Sequence, residues 1–473
     1  MTEMTQHNPL PTLLLCTLLA TTAYAAEPTL DEALGGFDSA EPSDDSLDAV
    51  LEGFDDSSTT ASPQPTDETP EQSGWQLTGD LSLSISYNFA HQTPTQGETD
   101  YRGLSRLRSF TNLEFGGDLG KNWAGHIEGH LFYDAAYSLN GRDNYTRQVL
   151  DAYESEAEWD SVYLRGRLAP SLDLKLGRQI VVWGKSDNLR VTDILNPLDQ
   201  REPGMTDIEE LRLPVTMAKL DYYVGDWNLS AMAIPEVRFS KLPPYGSDFY
   251  PLLVPPSNEE VPADGIDNMQ FAAAANGIFS GWDLSLYWAE RYSDTSYTIL
   301  QQGVPTQLHQ RQTMLGSAVN VATGNWLWKV ELAHFDDIRF NNLPERSERR
   351  SDLLLGFEYA GLHDVTLSLE TVCRHLHDFD EELADQDYLE DEWQSAFRYS
   401  GDFLHARLNL MMVLIVFGEQ FDEGGFGRFS AAYELAEALK LIGGMVLYEG
   451  GGRPPTLDIG NNDRLFAELK YSF

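Results

Sequence analysis

From Trp75 onward the chain alternates apolar and polar residues with a period of two. In "WQLTGDLSLSISYNF", Leu77, Leu81, Leu83, Ile85, Tyr87 and Phe89 share one face, and Gln76, Thr78, Asp80, Ser82, Ser84, Ser86 and Asn88 share the other. Successive side chains of a strand point to opposite sides, so this is a strand with one apolar and one polar face. The same pattern recurs in residues 122–133, 226–234, 281–290, 325–335 and 363–372. Connections alternate too. Short turns such as Gly225-Asp226, Ser280-Gly281 and Thr323-Gly324-Asn325 are followed by long polar segments such as 235–267 and 336–349. Tight turns at one end and long loops at the other are the habit of membrane barrels. Trp75, Trp123, Trp227, Trp282 and Trp326 each open a strand, the last four just after a short turn. That places all five at one level, as an interfacial aromatic girdle requires.

The pattern predicts an all-β fold, a transmembrane antiparallel β-barrel over residues 75–473 with about eighteen strands, or about sixteen as the fallback. An even count returns the C-terminus to the side where the first strand begins. The last segment, "RLFAELKYSF", alternates into Tyr471 and the terminal Phe473. It resembles the assembly signal read by the bacterial barrel-assembly machinery, which implies outer-membrane lipid around the barrel and both chain ends in the periplasm. No stretch of 18 apolar residues follows the N-terminal segment, which excludes a helical membrane protein.

Composition divides the remainder. Residues 1–25 read as a secretory signal peptide, with an apolar core over 10–20 and the small-residue pattern Ala23-Tyr24-Ala25. Residues 26–74 hold fourteen acids and no base, which predicts a disordered acidic periplasmic tether. Two islands in it, "LDEALGGFD" and "LDAVLEGFD", repeat one motif. At helical spacing Leu30, Leu34 and Phe37, then Leu47, Leu51 and Phe54, line one face. A helix this short is unstable alone, so the islands are expected to fold on binding a periplasmic transport partner. The net charge is −43, and no Lys or Arg precedes Arg102, which argues against nucleic acid. Cys373 is the lone cysteine beyond Cys16, so neither a disulfide nor a Cys-rich metal site is expected.

A barrel this wide encloses a lumen that wall side chains cannot fill, so something must narrow it. The candidate is the segment after the fifth strand, "WGKSDNLRVTDILNPLDQREPGMTDIEELRLP", residues 183–214. Residues 185–212 carry seven acids and four bases. Mixed charge of this density suits a fixed, salt-bridged constriction in the barrel mouth, built on Trp183, Lys185, Asp187, Arg190, Asp193, Asn196, Asp199, Arg201, Glu202 and Arg212. Arg190, Arg201 and Arg212 are expected to pair with Asp193, Asp199, Glu202, Asp207 or Glu209. A helical turn from Asp187 should stop at Asn196-Pro197, and Thr206 with Glu209 forms a capping-box pattern for a second. The competing reading is a solvated loop, where each ion pair contributes ~0–1 kcal/mol.

His126, Glu128 and His130 alternate on one strand and are expected to line the lumen. Neighbours on one face of a strand lie roughly 6.5 Å apart, so they do not close a metal site alone. Neither they nor His375 and His377 near Cys373 lead to an expected metal or cofactor. No catalytic motif is present, and no enzyme activity is expected. One strand, "LNLMMVLIVF", is apolar on both faces. Either Met411, Val413, Ile415 and Phe417 or the opposite set must point inward, against a plug or along a greasy path.

The run "GRQIVVWGKSDNLRVTDILNPLDQREPG", continued by "DIEELRLPV" and by "IPEVRFSKLPPYGSDF", resembles a large proteobacterial outer-membrane family of unknown function, DUF1302. The resemblance extends over nearly all of residues 75–473. It implies trafficking of lipids or other hydrophobic compounds, together with a transporter of the resistance-nodulation-division type and a periplasmic protein. The short chain and the acidic tether depart from that family's pattern. The leading expectation is an outer-membrane conduit for hydrophobic or amphipathic molecules. The alternatives are a passive porin biased toward cations by 60 acids against 32 bases in the barrel region, and a structural or adhesive surface barrel.

Overall fold

The computed structural model describes residues 74–95, 98–206, 208–252 and 254–473. The signal peptide, all but Gly74 of the tether, and the repeat residues Leu30, Leu34, Phe37, Leu47, Leu51 and Phe54 lie outside the described residues. Eighteen antiparallel strands, each paired with its sequence neighbours, form one sheet. It closes where the first strand, Gln76–Asn88, pairs with the last, Arg464–Ser472. The fold is the expected transmembrane barrel, with the higher of the two strand counts.

The apolar face of the first strand points outward. Leu77, Leu81, Leu83, Ile85, Tyr87 and Phe89 are exposed, while Ser86 and Asn88 are buried inside. The ladder is closed, so every strand bonds to a neighbour on each side over at least part of its length, as a hydrocarbon surrounding demands. Strands open at Trp123, Trp227, Trp282 and Trp326, and Trp75 directly precedes the first, which sets five tryptophans at the short-turn rim. The tight turns there use Gly281 (φ 79°) and Gly324 (φ 59°), a left-handed backbone that glycine adopts without a Cβ penalty. Tyr471 and Phe473 face outward at the same rim, their rings 6.2 Å apart. Phe473 and Gly79 exchange both backbone hydrogen bonds at 3.0 Å.

The polar segment 336–349 is not a loop. The eleventh and twelfth strands, Trp326–Phe340 and Leu343–Leu362, continue through it and turn only at Asn341-Asn342. Above the apolar belt both faces of a strand meet water or other loops, so polarity there reports depth and not chain reversal. Arg346 fastens this hairpin to the next connection, 2.9 Å from both Asp380 and Glu382.

Candidate functional site: a loop folded across the barrel

The fifth strand, Leu172–Gln179, has 8 residues, and its neighbour, Ser155–Ala169, has 15. They pair only from Val162 to Ala169. The chain leaves the wall at Gln179, turns into the lumen, and rejoins the barrel at the sixth strand, Val215–Val224. Asn196 ties the two stems together. Its side chain accepts from Val181 N at 2.8 Å and donates to Gln179 O at 3.3 Å and Leu213 O at 2.9 Å.

The far end is held by two carboxylates that sequence reasoning did not single out, Glu331 on the eleventh strand and Glu370 on the thirteenth, Val365–Leu376. Glu331 is 1% exposed and Glu370 0%. Glu331 accepts from Lys185 N (2.5 Å), Ser186 N (2.8 Å), Thr192 N (3.2 Å) and Thr192 Oγ1 (2.8 Å). Glu370 accepts from Ser186 Oγ (2.7 Å), Asp187 N (2.9 Å), Asn188 N (3.0 Å) and Leu189 N (3.2 Å). Lys329 lies between, bonded to Asp187 and 4.0 Å from Glu370. Buried carboxylates are tolerated only when paired or hydrogen-bonded, and each of these is satisfied by the loop. This is why the expected helical turn from Asp187 is absent. Its amides bond to wall carboxylates instead of to carbonyls of the preceding turn. The second expected turn survives as a short 3-10 helix, Ile208–Leu211.

Each predicted constriction residue has a definite place. Trp183 is buried and stacks on Tyr287 of the ninth strand, ring centroids 4.7 Å apart. Lys185 lies 2.9 Å from Asp283. Asp193 gathers Arg190 (3.2 Å), Arg212 (2.8 Å) and Trp183 N (3.2 Å). Arg201 bonds Asp199 and, at 2.7 Å, Glu156 of the fourth strand. Glu202 departs from expectation. It pairs with no loop arginine but with Arg106, and with Arg108 at 3.4 Å, both on the second strand, Gly103–Asp118. Burial alone pushes the Glu202 carboxyl up, but Arg106, Arg108 and Arg464 together hold it at about 2. The side chains of Asp207 and Glu209 lie outside the described residues.

A second segment meets the first. The long polar segment 235–267, read from the sequence as a connection at the rim away from the short turns, touches it at Lys241. Lys241 N donates to Leu198 O (2.9 Å), and Gln200 N donates to Lys241 O (2.8 Å). The Lys241 ammonium lies 2.9 Å from Glu156 and 2.6 Å from Glu158. Farther along, Met205 packs with Phe249, Val446, Tyr448 and Ile459, and the Tyr448 hydroxyl donates to Pro203 O at 2.6 Å. The loop thus reaches Glu331 and Glu370 with residues 185–192 and the wall at Val446 and Tyr448 with residues 203–205. The lumen also holds an apolar core, in which Val181, Trp183, Leu189, Val191 and Leu195 pack against wall residues including Met217, Met314, Leu354 and Ile415. On the fifteenth strand, Leu408–Phe417, the inward set is therefore Met411, Val413, Ile415 and Phe417, and Val413 and Phe417 pack against this core.

His126, Glu128 and His130 face inward on the third strand, Trp123–Asp134, whose Ile127, Leu131 and Tyr133 are exposed outside. His126 stacks on Tyr163 at 4.6 Å and lies 3.5 Å from Glu114 and 3.7 Å from Glu128. His130 lies 2.7 Å from Asp160 and 3.3 Å from Glu156, the carboxylate that also holds Arg201. That makes His130, alone of the three, a neighbour of the loop network. His375 lies 2.8 Å from Asp391, and His377 shares the Ser351 hydroxyl with His334 at 2.8 and 2.9 Å.

Solved structures share this architecture. Acinetobacter baumannii OccAB2 is 12% identical, with 84% of this chain and 98% of that one covered and a TM-score of 0.50. Acinetobacter baumannii OccAB1 is 10% identical, with 84% and 96% covered and a TM-score of 0.50. The outer membrane protein opdK of Pseudomonas aeruginosa is 13% identical, with 84% and 99% covered and a TM-score of 0.47. No curated protein matches the sequence. The model of one family, "Protein of unknown function (DUF1302)", matches residues 10–473, and the chain belongs to that family.

Proposed function

We propose that this protein is an outer-membrane channel whose lumen is closed by the loop at residues 180–214, and that it conducts amphipathic or hydrophobic molecules with the help of periplasmic partners. The observation that carries the reading is the loop's crossing from the fifth strand to Glu331 and Glu370 on the eleventh and thirteenth. Two buried carboxylates fix that strap across the lumen, which a mobile surface loop would not require. An apolar core inside a barrel supports greasy cargo over a purely hydrophilic solute. So does the half-open wall beside the loop, where the fourth strand from Ser155 to Trp159 pairs with the third strand alone and Trp159, Ile180 and Val182 are exposed. In this reading the short-turn rim, with the C-terminus and the acidic tether, faces the periplasm, and Tyr471 and Phe473 serve assembly. Partnership with a resistance-nodulation-division transporter belongs to the same proposal. The test is deletion of residues 187–210 in the full chain, with conductance measured in planar bilayers. Steady conductance that appears only in the deletion supports a loop-closed channel. Equal conductance in both proteins returns the molecule to the class of simple porins.

A further inference from the structure

On the inner wall, between the crossing loop and the short-turn rim, three bases stand in a row. Arg165 on the fourth strand lies directly across from Lys175 on the fifth, and Lys175 directly across from Lys219 on the sixth. Leu176 and Leu220, their chain neighbours, are exposed on the outer face, so by alternation Lys175 and Lys219 point into the lumen. Arg165, opposite Lys175, points the same way. Side chains directly opposite in a sheet have Cβ atoms roughly 5 Å apart, and like charges so placed repel. Two carboxylates stand on the same strands, and both are engaged. Asp221 accepts from Lys219 at 2.5 Å and from the Ser230 hydroxyl at 2.5 Å, and Asp173 accepts from Arg167 at 3.3 Å. Among the described residues neither Arg165 nor Lys175 pairs with a carboxylate. The Lys175 ammonium sits instead 3.7 Å from the centre of the Tyr163 ring, a contact that neutralises no charge. In a chain of 75 acids and 32 bases, two adjacent unmatched bases are not a by-product of composition.

The row has a defined place. The hairpin that carries Arg165 and Lys175 turns at residues 170–171, and Arg165 is exposed. At the other end of the row, Met217 is the next inward residue of the sixth strand, and Met232 of the seventh, Trp227–Ile234, lies directly across from Lys219. Both methionines are buried in the apolar core with Val181 and Trp183 of the loop. From this arrangement we infer a binding site for a phosphate group, held by Arg165, Lys175 and Lys219. A phosphate monoester carries about −1.5 to −2 charges at pH 7, which matches the two unmatched bases, and its oxygens accept from all three side chains. A single carboxylate would leave one base over. The inference rests on the channel reading above, with the short-turn rim toward the periplasm, and adds the charged chemistry of what enters from that side. Such a group arrives as the headgroup of an amphiphile or as the free ion.

The experiment is isothermal titration calorimetry of the full-length protein in a non-ionic detergent at low salt. Hexyl phosphate and inorganic phosphate are titrated separately, with protein-free micelles as background. Saturable binding is expected, weakened about ten-fold or more in Arg165→Gln with Lys175→Gln, because two charge-assisted contacts are lost. The charge-conserving Arg165→Lys with Lys175→Arg should stay close to wild type, and hexylammonium should not compete. Absence of binding by either phosphate overturns the site, as do wild-type affinity in the Gln double variant and competition by hexylammonium. Tighter binding of hexyl phosphate supports the site and assigns it to a headgroup, and equal binding of inorganic phosphate supports it and assigns it to the free ion. Heat-modifiable migration of the barrel reports folding. If the double variant does not fold, Arg165→Gln alone decides the matter, with a clear loss of affinity expected and wild-type affinity overturning the site. The deletion of residues 187–210 is read by conductance, so failure of the channel reading and failure of this site are seen separately.

Discussion

Glu331→Gln removes one negative charge and almost no volume, so its effect isolates the anchor. The carboxylate takes four hydrogen bonds, two on each oxygen. Lys185 N and Ser186 N bond to Oε1, and Thr192 N and Oγ1 bond to Oε2. Whichever way the glutamine amide turns, its NH2 meets donors. On the Thr192 side the hydroxyl reverses and accepts, leaving one backbone N–H opposed to another donor. That is the cheaper arrangement. Losing one charge-assisted bond costs about 1.5–3 kcal/mol, and the surviving bonds weaken to neutral strength. A total near 3 kcal/mol, at about 1.4 kcal/mol per decade, shifts the ratio of closed to released loop by roughly a hundred-fold. Open probability in planar bilayers should rise by about that factor, and trypsin should cut after Lys185 or Arg190 in the folded barrel. Because the carboxylate is buried, salt should change the result little. If open probability and protease resistance both stay at wild-type values in a folded Glu331→Gln protein, the loop is not held by this contact and the anchoring argument is wrong.

Three further outcomes are expected. Replacing Met412 and Leu414 with Asn puts polar groups on the lipid face and should lower assembly, whereas Val413→Asn with Ile415→Asn should loosen the loop's apolar core and raise conductance; normal assembly of the Met412 and Leu414 pair would refute the assigned inward face, and equal assembly defects in both pairs would mean a strand buried on both sides. Glu202 is held at about 2 against an ordinary value of 4.5, so its contribution is complete only well above pH 4.5 and is lost progressively as pH falls from there through 2. Wild-type conductance should therefore hold steady from about pH 7 to about pH 6, and an opening in that window that Glu202→Gln abolishes would contradict the assignment. For the tether, Phe37→Ala with Phe54→Ala should reduce periplasmic cross-linking and transport without changing barrel abundance, since two weak copies on one tether act by raising effective concentration; wild-type levels of both would remove the docking idea.

Much of this molecule was written in its alternation. A period of two with apolar residues at Leu81, Leu83 and Ile85, tight turns before Trp227, Trp282 and Trp326, and an aromatic end at Phe473 are local properties, and they dictate a membrane barrel because strands in hydrocarbon must pair on both sides. The insertion of residues 183–214 was also legible, because that many charges of both signs after an apolar strand need partners. Which partners they find was not. Glu331 and Glu370 announce themselves in sequence only as inward positions of ordinary strands. Their meeting with Ser186 depends on the stagger of strands six and eight places around the wall from the fifth strand. The same closure decided that Ile415 and not Leu414 faces the core, that Lys241 meets the backbone at Leu198 and Gln200, and that Glu202 meets Arg106 instead of Arg201. Periodicity reports which side of a strand a residue takes. Only the closed barrel decides what stands opposite it.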